Sequence, residues 1–229
     1  MQRKEAYIFI GPPGSGKGSL SKLCTEQFGW TQLSTGNLCR KHIMEETEIG
    51  KQIDFTIKSG KLIPDDLITE LVDEWLGQMV QEDKTVILDG FPRNASQVEN
   101  LFRILREKYA SLKIKVVRFL ISDETAARRI CSRYVCVNKQ CQAVYSGNAQ
   151  SGLTSKEDMK CDACGAALGR RDDDSVETVM NRLKVYRDFE EDMLNSLVKA
   201  QGGMIDVQVE RPLQEIFDTF KKEIVDTEG

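Results

Sequence analysis

Residues Gly11-Pro12-Pro13-Gly14-Ser15-Gly16-Lys17-Gly18-Ser19 carry what is needed to hold a phosphate. The glycines let successive backbone N–H groups turn toward one anion. Lys17 adds a mobile full charge suited to outer phosphates. In the general form of this loop a Ser or Thr directly follows the Lys. Here Gly18 takes that place and the hydroxyl comes one later, at Ser19. The bland alternative is a glycine-rich turn that binds nothing.

Two further runs suit nucleotide chemistry. Asp89-Gly90-Phe91-Pro92-Arg93 follows an apolar, β-branched stretch. A carboxylate at the end of a strand beside a phosphate loop is where a nucleotide enzyme needs an Mg²⁺ partner, and Arg93 then lies near phosphates. Alone, Asp89 could simply end a strand at a Gly-Pro turn. Leu33-Ser34-Thr35-Gly36-Asn37-Leu38-Cys39-Arg40 opens a helix with small polar residues and has Arg40 one turn in. Ser34 or Thr35 can be a plain helix cap, and a capped helix start also suits an anion.

Cys136 and Cys141 are spaced C-x4-C, and Cys161 and Cys164 are spaced C-x2-C. Four thiols in two close pairs across a polar stretch form a structural zinc pattern. A disulfide pair or four free thiols are the alternatives. Cys24, Cys39 and Cys131 read as ordinary buried thiols, and His42, the single histidine, as a helix-surface residue.

The elements that must position these residues follow from periodicity. Ala6–Ile10 is a short apolar run and reads as a buried strand that feeds the loop, with a helix starting at about Ser19. Further strands are expected at Gln32–Ser34, Thr85–Asp89, Ile114–Ile121 and Met204–Val207. Asp65–Val80 has helical spacing through Leu67, Leu71, Val72, Trp75, Leu76 and Met79, with Pro64-Asp65 as its start signal. Asp174–Leu197 is a long helical pattern through Val176, Val179, Met180, Leu183, Tyr186, Phe189 and Met193, ended by Gly202-Gly203. Alternating strands and helices imply an α/β protein with a parallel sheet wrapped by helices. Residues 34–63 hold helical pieces without a strong strand. Residues 133–171 are rich in Gly, Ser, Asn and Cys, with little apolar periodicity, and are too long for an ordinary loop.

At 229 residues the chain is long enough for one sizeable core with inserted subdomains. Charged residues make up 30% and the net charge is −4, which argues against a nucleic-acid binder. The start, Met1-Gln2-Arg3-Lys4-Glu5, has no apolar run of the signal-peptide kind, and no stretch is long enough to span a membrane. A cytoplasmic protein with reduced thiols is expected.

Taken together, these motifs resemble an adenylate kinase. The resemblance rests on the loop at 11–19, Ser34-Thr35-Gly36, Leu62-Ile63-Pro64-Asp65-Asp66-Leu67-Ile68, Asp89-Gly90-Phe91-Pro92-Arg93 with Gln97, and Arg171-Asp172-Asp173-Asp174 before Glu177-Thr178. Their order and spacing match over nearly the whole chain, and Gly18 after the Lys is what that family has. Ser19 stands where the family mostly has Thr, and Asn37 where it usually has Asp. The resemblance implies a P-loop NTPase-type core at 1–33, 64–132 and 172–229. It also implies a nucleoside-monophosphate-binding arm at 34–63 and a lid at 133–171.

The resemblance further implies Mg²⁺-dependent phosphoryl transfer from ATP to AMP, giving two ADP, in a monomer. ATP would be held by Gly14, Ser15, Gly16, Lys17, Gly18, Ser19, Arg129 and Arg133. AMP would be held by Thr35, Arg40, Ile63, Gly90, Arg93, Gln97, Arg171 and Arg182. Lys17, Arg93, Arg133, Arg171 and Arg182 would form the catalytic cage, and Asp89 would hold Mg²⁺ through water. For any one arginine the alternative is a surface salt bridge, worth little. The insert resembles the family's long lid, whose bacterial versions include zinc forms, usually with a narrower first Cys pair. A kinase of UMP, CMP or another nucleoside monophosphate is the alternative, and a nucleotide-binding regulator that no longer transfers phosphate is a third reading. Thr35 and Gln97 speak for AMP, and Asn94 for the pyrimidine branch.

Overall fold

The computed structural model describes residues 4–58, 63–82, 84–171 and 174–226. A five-stranded sheet is built from β1 (Glu5–Ile10), β2 (Thr31–Ser34), β3 (Val86–Asp89), β4 (Lys113–Leu120) and, later in the chain, β8 (Ile205–Gln208). Its order is β2-β3-β1-β4-β8. β1 lies parallel to both β3 and β4, and β2 lies parallel to β3. The register sets Phe9 and Ser34 each opposite Asp89, so the C-terminal ends of β1, β2 and β3 come level. Ligands of open α/β sheets gather at such ends. Ala6 to Ile10 and Val86 to Leu88 are buried, as expected of apolar strands covered on both faces.

The helices are α1 (Lys17–Phe28), α2 (Thr35–Met44), α3 (Glu48–Lys58), α4 (Asp65–Gln81), α5 (Ala95–Lys108), α6 (Asp123–Cys131), α7 (Val176–Gln201) and α8 (Leu213–Phe220). α4 begins after Pro64 with two carboxylates in its first turn, where the helix dipole favours negative charge. Ile68, Leu71, Val72 and Leu76 form its buried stripe.

The long helix departs from its sequence pattern in two ways. α7 starts at Val176, not Asp174, because the Ser175 hydroxyl accepts the Thr178 N–H as a cap. Val179, Leu183 and Met193 are buried, whereas Val176, Met180 and Phe189 are exposed. The apolar spacing is therefore wider than the stripe that packs.

α2 and α3 occupy Thr35–Met44 and Glu48–Lys58. A Cβ at Gly50 would lie 1.9 Å from the His42 carbonyl oxygen, so only glycine permits this approach. His42 is half-buried, with Nδ1 3.1 Å from the Thr47 hydroxyl, and not on an open helix surface. Cys24 and Cys39 are buried, but Cys131 is only half-buried.

Residues 133–171 fold around a small antiparallel sheet. β5 (Arg133–Cys136) pairs with β6 (Val144–Ser146) and with β7 (Leu168–Gly169). Cys136, Ala143, Tyr145, Cys161 and Leu168 form a compact cluster. The segment therefore does have a core, but two of its five buried members are thiols.

The chain forms two compact units. One comprises the residues up to Ile10, Cys24–Arg118 and Phe189–Ile205; the other comprises Gly11–Leu23, Phe119–Asp188 and the residues from Asp206 on.

Candidate active site

In the second unit the phosphate loop leads directly into α1, which starts at Lys17 itself. Gly14 and Gly16 adopt φ of 83° and 93°, which a side chain would resist. A Cβ at Gly14 would also lie 2.4 Å from the Ala126 carbonyl oxygen. Lys17 folds back over its own loop. Its Nζ donates to the Gly11 carbonyl at 2.7 Å, the Pro12 carbonyl at 3.0 Å and Ser15 Oγ at 3.1 Å. Gly18 is exposed and Ser19 half-buried in the first turn of α1.

One element of the same unit, α6, brings an arginine to this loop. α6 packs against α7 through Ala126, Ile130, Val179 and Leu183. Arg129, on α6, reaches within 3.8 Å of where a Gly16 Cβ would stand. Its Nη2 is held by the Val209 carbonyl at 2.5 Å. Burial lowers the pKa of this guanidinium, and the Glu210 carboxylate opposes that shift. Arg133 and Arg182 converge on one carboxylate. Arg133 Nε donates to Asp174 Oδ2 at 2.9 Å and its Nη2 donates to Oδ1, a fork-on-fork pair. Arg182 Nη1 stands 3.9 Å from the same Oδ1. The Asp174 side chain is 3% exposed. Arg171 is half-buried and its carbonyl accepts the Asp174 N–H at 3.2 Å. Asp172 and Asp173 lie outside the described residues, as does Leu62.

The first unit gathers the other expected residues around Gly90, whose φ is 85°. Thr35 Oγ1 donates to the Gly90 carbonyl at 2.9 Å, and Arg93 Nε donates to the same oxygen at 2.7 Å. A Cβ on Gly90 would come within 2.8 Å of Thr35 Oγ1 and 3.1 Å of Arg93 Nη2. Ser34 caps α2 by accepting the Asn37 N–H. Arg40 lies 3.5 Å from a Cβ at Gly36 and donates to Asn37 Oδ1. Asn37 thus keeps the acceptor that an Asp would offer, without its charge. Burial raises the pKa of the Cys39 thiol beneath them, and the charges of Arg93 and Arg40 partly offset this. Arg93 is exposed, and Gln32 Nε2 donates to Asp89 Oδ2 at 3.0 Å. Ile63 is half-buried just before α4.

The four Sγ atoms of Cys136, Cys141, Cys161 and Cys164 all lie within 4.8 Å of one another. Cys136 and Cys164 are 3.4 Å apart, and Cys141 and Cys161 are 3.7 Å apart. A tetrahedral zinc with Zn–S bonds of about 2.3 Å sets sulfurs roughly 3.8 Å apart. The donor set therefore fits one zinc ion. Burial alone would raise the pKa of the Cys161 thiol, but hydrogen bonds from the Tyr145 hydroxyl and the Ala163 and Cys164 N–H groups outweigh it and bring it down. Burial instead pushes the Cys136 and Cys141 thiols up.

The profile of the adenylate kinase family matches residues 9–201. An adenylate kinase of Archaeoglobus fulgidus is 37% identical over 210 residues, 92% of this chain and 93% of its own. One from Thermosipho melanesiensis is 34% identical over 221 residues, covering 94% and 99%. The chain belongs to the adenylate kinase family. A third relative, the adenylate kinase of Borreliella burgdorferi, is 36% identical over 180 residues, 79% of this chain and 80% of its own.

Adenylate kinases are phosphotransferases, and this chain is an enzyme of that class. Within the second unit Arg129 is brought to the phosphate loop, and Arg133 and Arg182 to each other. Within the first unit Thr35, Gly90 and Arg93 meet, and Arg40 lies over Gly36. Sequence reasoning missed three partners: Asp174 for Arg133, Asp65 for Gln97, and Gln32 for Asp89. Each is distant in sequence from the residue it serves, so no local spacing announced it. Asn94 has a local job that its sequence position did not reveal. It caps α5, accepting the Gln97 N–H at 2.8 Å, and donates to Asp65. Its identity therefore needs no pyrimidine acceptor to explain it.

Proposed function

We propose that the chain transfers the terminal phosphoryl group of ATP reversibly to AMP, giving two ADP. The observation that carries this is the set of cations grouped on glycine-rich backbone. Lys17 and Arg129 lie at the loop that would cradle the donor, and Arg40 and Arg93 flank Gly36, in the first turn of α2, and the Gly90 bend, which would take the acceptor phosphate. Phosphoryl transfer needs little covalent help from protein groups. The transition state spreads negative charge over oxygens, and fixed cations stabilise it while holding donor and acceptor in line.

Lys17 would leave its loop carbonyls for the transferring phosphoryl group. Arg133, Arg171 and Arg182 would turn to the phosphates as residues 133–171 close like a lid over a core at 1–33, 64–132 and 172–229. That closure would exclude water and limit ATP hydrolysis. Gly14 to Ser19 would bind ATP, and residues 34–63 would bind AMP through Thr35, Arg40 and Ile63. Gln97 would read the base. Asp89 is the carboxylate suited to orient a water on Mg²⁺, whose contribution is to neutralise charge on the phosphates. The four cysteines would hold zinc for structure alone, because a closed thiolate set leaves no open position. A single cytoplasmic chain is part of the same proposal; thiols kept for a metal would suit a reducing compartment.

A coupled assay with ATP and each monophosphate in turn tests this reading. AMP should be the best acceptor. Faster turnover of CMP or UMP would overturn it in favour of a pyrimidine kinase.

A further inference from the structure

Asp65, at the start of α4, is no part of the proposed nucleotide-binding set, yet it holds the one amide expected to read the acceptor base. Gln97 is buried, at 6% exposure. Its Nε2 donates to Asp65 Oδ1 at 2.7 Å, and its Oε1 accepts the Arg93 N–H at 2.8 Å. Asn94 braces the carboxylate, with Nδ2 at 3.1 and 3.2 Å from its two oxygens. The direction of the amide is dictated by its partners. An ionised carboxylate only accepts, and a backbone N–H only donates. Turning the amide over would set oxygen against carboxylate and NH₂ against N–H, losing both bonds.

We propose that Asp65 is a specificity-determining positioning residue that fixes which way the Gln97 amide faces the acceptor base. The inference rests on Gln97 reading that base. A primary amide has two N–H donors and two oxygen lone pairs. The inner bonds use one of each and leave one donor and one acceptor. Adenine offers an acceptor at N1 and a donor at its 6-amino group. A 6-oxopurine offers the reverse, a donor at N1 and an acceptor at O6. An amide held one way satisfies adenine and opposes the 6-oxopurine; an amide free to turn over accommodates either. A carboxylate at position 65, acting with the Arg93 N–H, therefore disfavours inosine-type monophosphates without touching them. Rejection of this kind is strong because a mismatched base leaves buried polar groups unpaired.

The test compares kcat/KM for AMP and for IMP, with ATP as donor. Asp65→Asn can offer either an amide oxygen or an NH₂ to Gln97, and Asp65→Ser can donate or accept. Both remove one of the two groups that hold the amide, leaving only the Arg93 N–H to oppose its turning, and should lower the AMP-to-IMP ratio about tenfold, the low end for losing a hydrogen bond to a charged acceptor. Asp65→Ser keeps the test open should Asp65→Asn fold poorly. Asp66→Asn removes a like charge from the same helix turn and should leave the ratio unchanged. Gln97→Ala should collapse the ratio. Unchanged ratios in both Asp65 variants, beside a collapse in Gln97→Ala, would overturn the positioning role and leave the base-reading role standing. An unchanged ratio in Gln97→Ala would overturn base reading itself, and this inference with it. An equal fall in Asp66→Asn would assign the effect to helix charge and refute the role of Asp65.

Discussion

Asp174→Ala should destabilise the enzyme by about 3 kcal/mol. The Asp174 side chain is 3% exposed and that of Arg133 is 18% exposed, and one edge of the guanidinium engages both carboxylate oxygens. Removing one partner of a buried ion pair costs roughly 3–5 kcal/mol, because the other charge is left without compensation. Arg133 keeps some access to water, so the low end of that range applies. For a chain of this size each kcal/mol moves Tm by about 2–4 °C, so calorimetry should show a drop of roughly 6–12 °C. The Asp174→Ala/Arg133→Ala double variant should lose less than the sum of the singles, because the less exposed of the two guanidiniums that face Asp174 leaves together with the carboxylate. Arg133 would also lose its orientation, so KM for ATP should rise while KM for AMP stays near its starting value. A loss below about 1 kcal/mol, the value of an exposed pair, would refute the reasoning. It would mean that water already screens the pair.

Lys17→Met should cut kcat by well over tenfold, about 1.4 kcal/mol of barrier for each factor of ten. A variant keeping more than a tenth of the activity would remove Lys17 from the transition state. Metal analysis of the reduced protein should find one zinc per chain, and a chelator should lower a thermal transition of residues 133–171 ahead of the main sheet. Zinc well below one per chain, with a transition that chelator leaves in place, would make the cysteines plain thiols. Burial first, and then the hydrogen bond to Asp73, raise the pKa of the Tyr109 hydroxyl from 10.0 to about 12. A raised pKa adds stability that is full below pH 10 and is lost as pH rises toward 12. Tyr109→Phe should therefore flatten the decline of urea midpoints across that window, and parallel curves would remove Tyr109 from the alkaline loss.

Much of the fold was legible in the sequence because its signals are local. The apolar run before Gly11, the glycines and Lys17 lie within a dozen residues, and strand, turn and helix follow from that order alone. The same holds for β3 with Asp89 and for Ser34 as a cap, where side chain and backbone partner are three residues apart. The cysteine spacing put forward a metal site but left disulfides open. Convergence of all four sulfurs within 4.8 Å suits one ion better than two bridges. Exposure was less legible. The apolar face of α7 was drawn wider than what packs, and Cys131 and His42 are each half-buried, because burial depends on what another element brings to that face.

What the sequence determined by itself was the order of the elements, the phosphate loop and the family's motifs. Each is written in the spacing of neighbouring residues and the backbone geometry that glycine, proline and apolar periodicity allow. Only the tertiary structure decided which carboxylate answers which cation or amide. Asp174 meets Arg133 across 41 residues, and Asp65 meets Gln97 across 32. A buried charge must find its partner wherever the packed elements deliver one. That delivery depends on helix axes and sheet register, which no local pattern encodes.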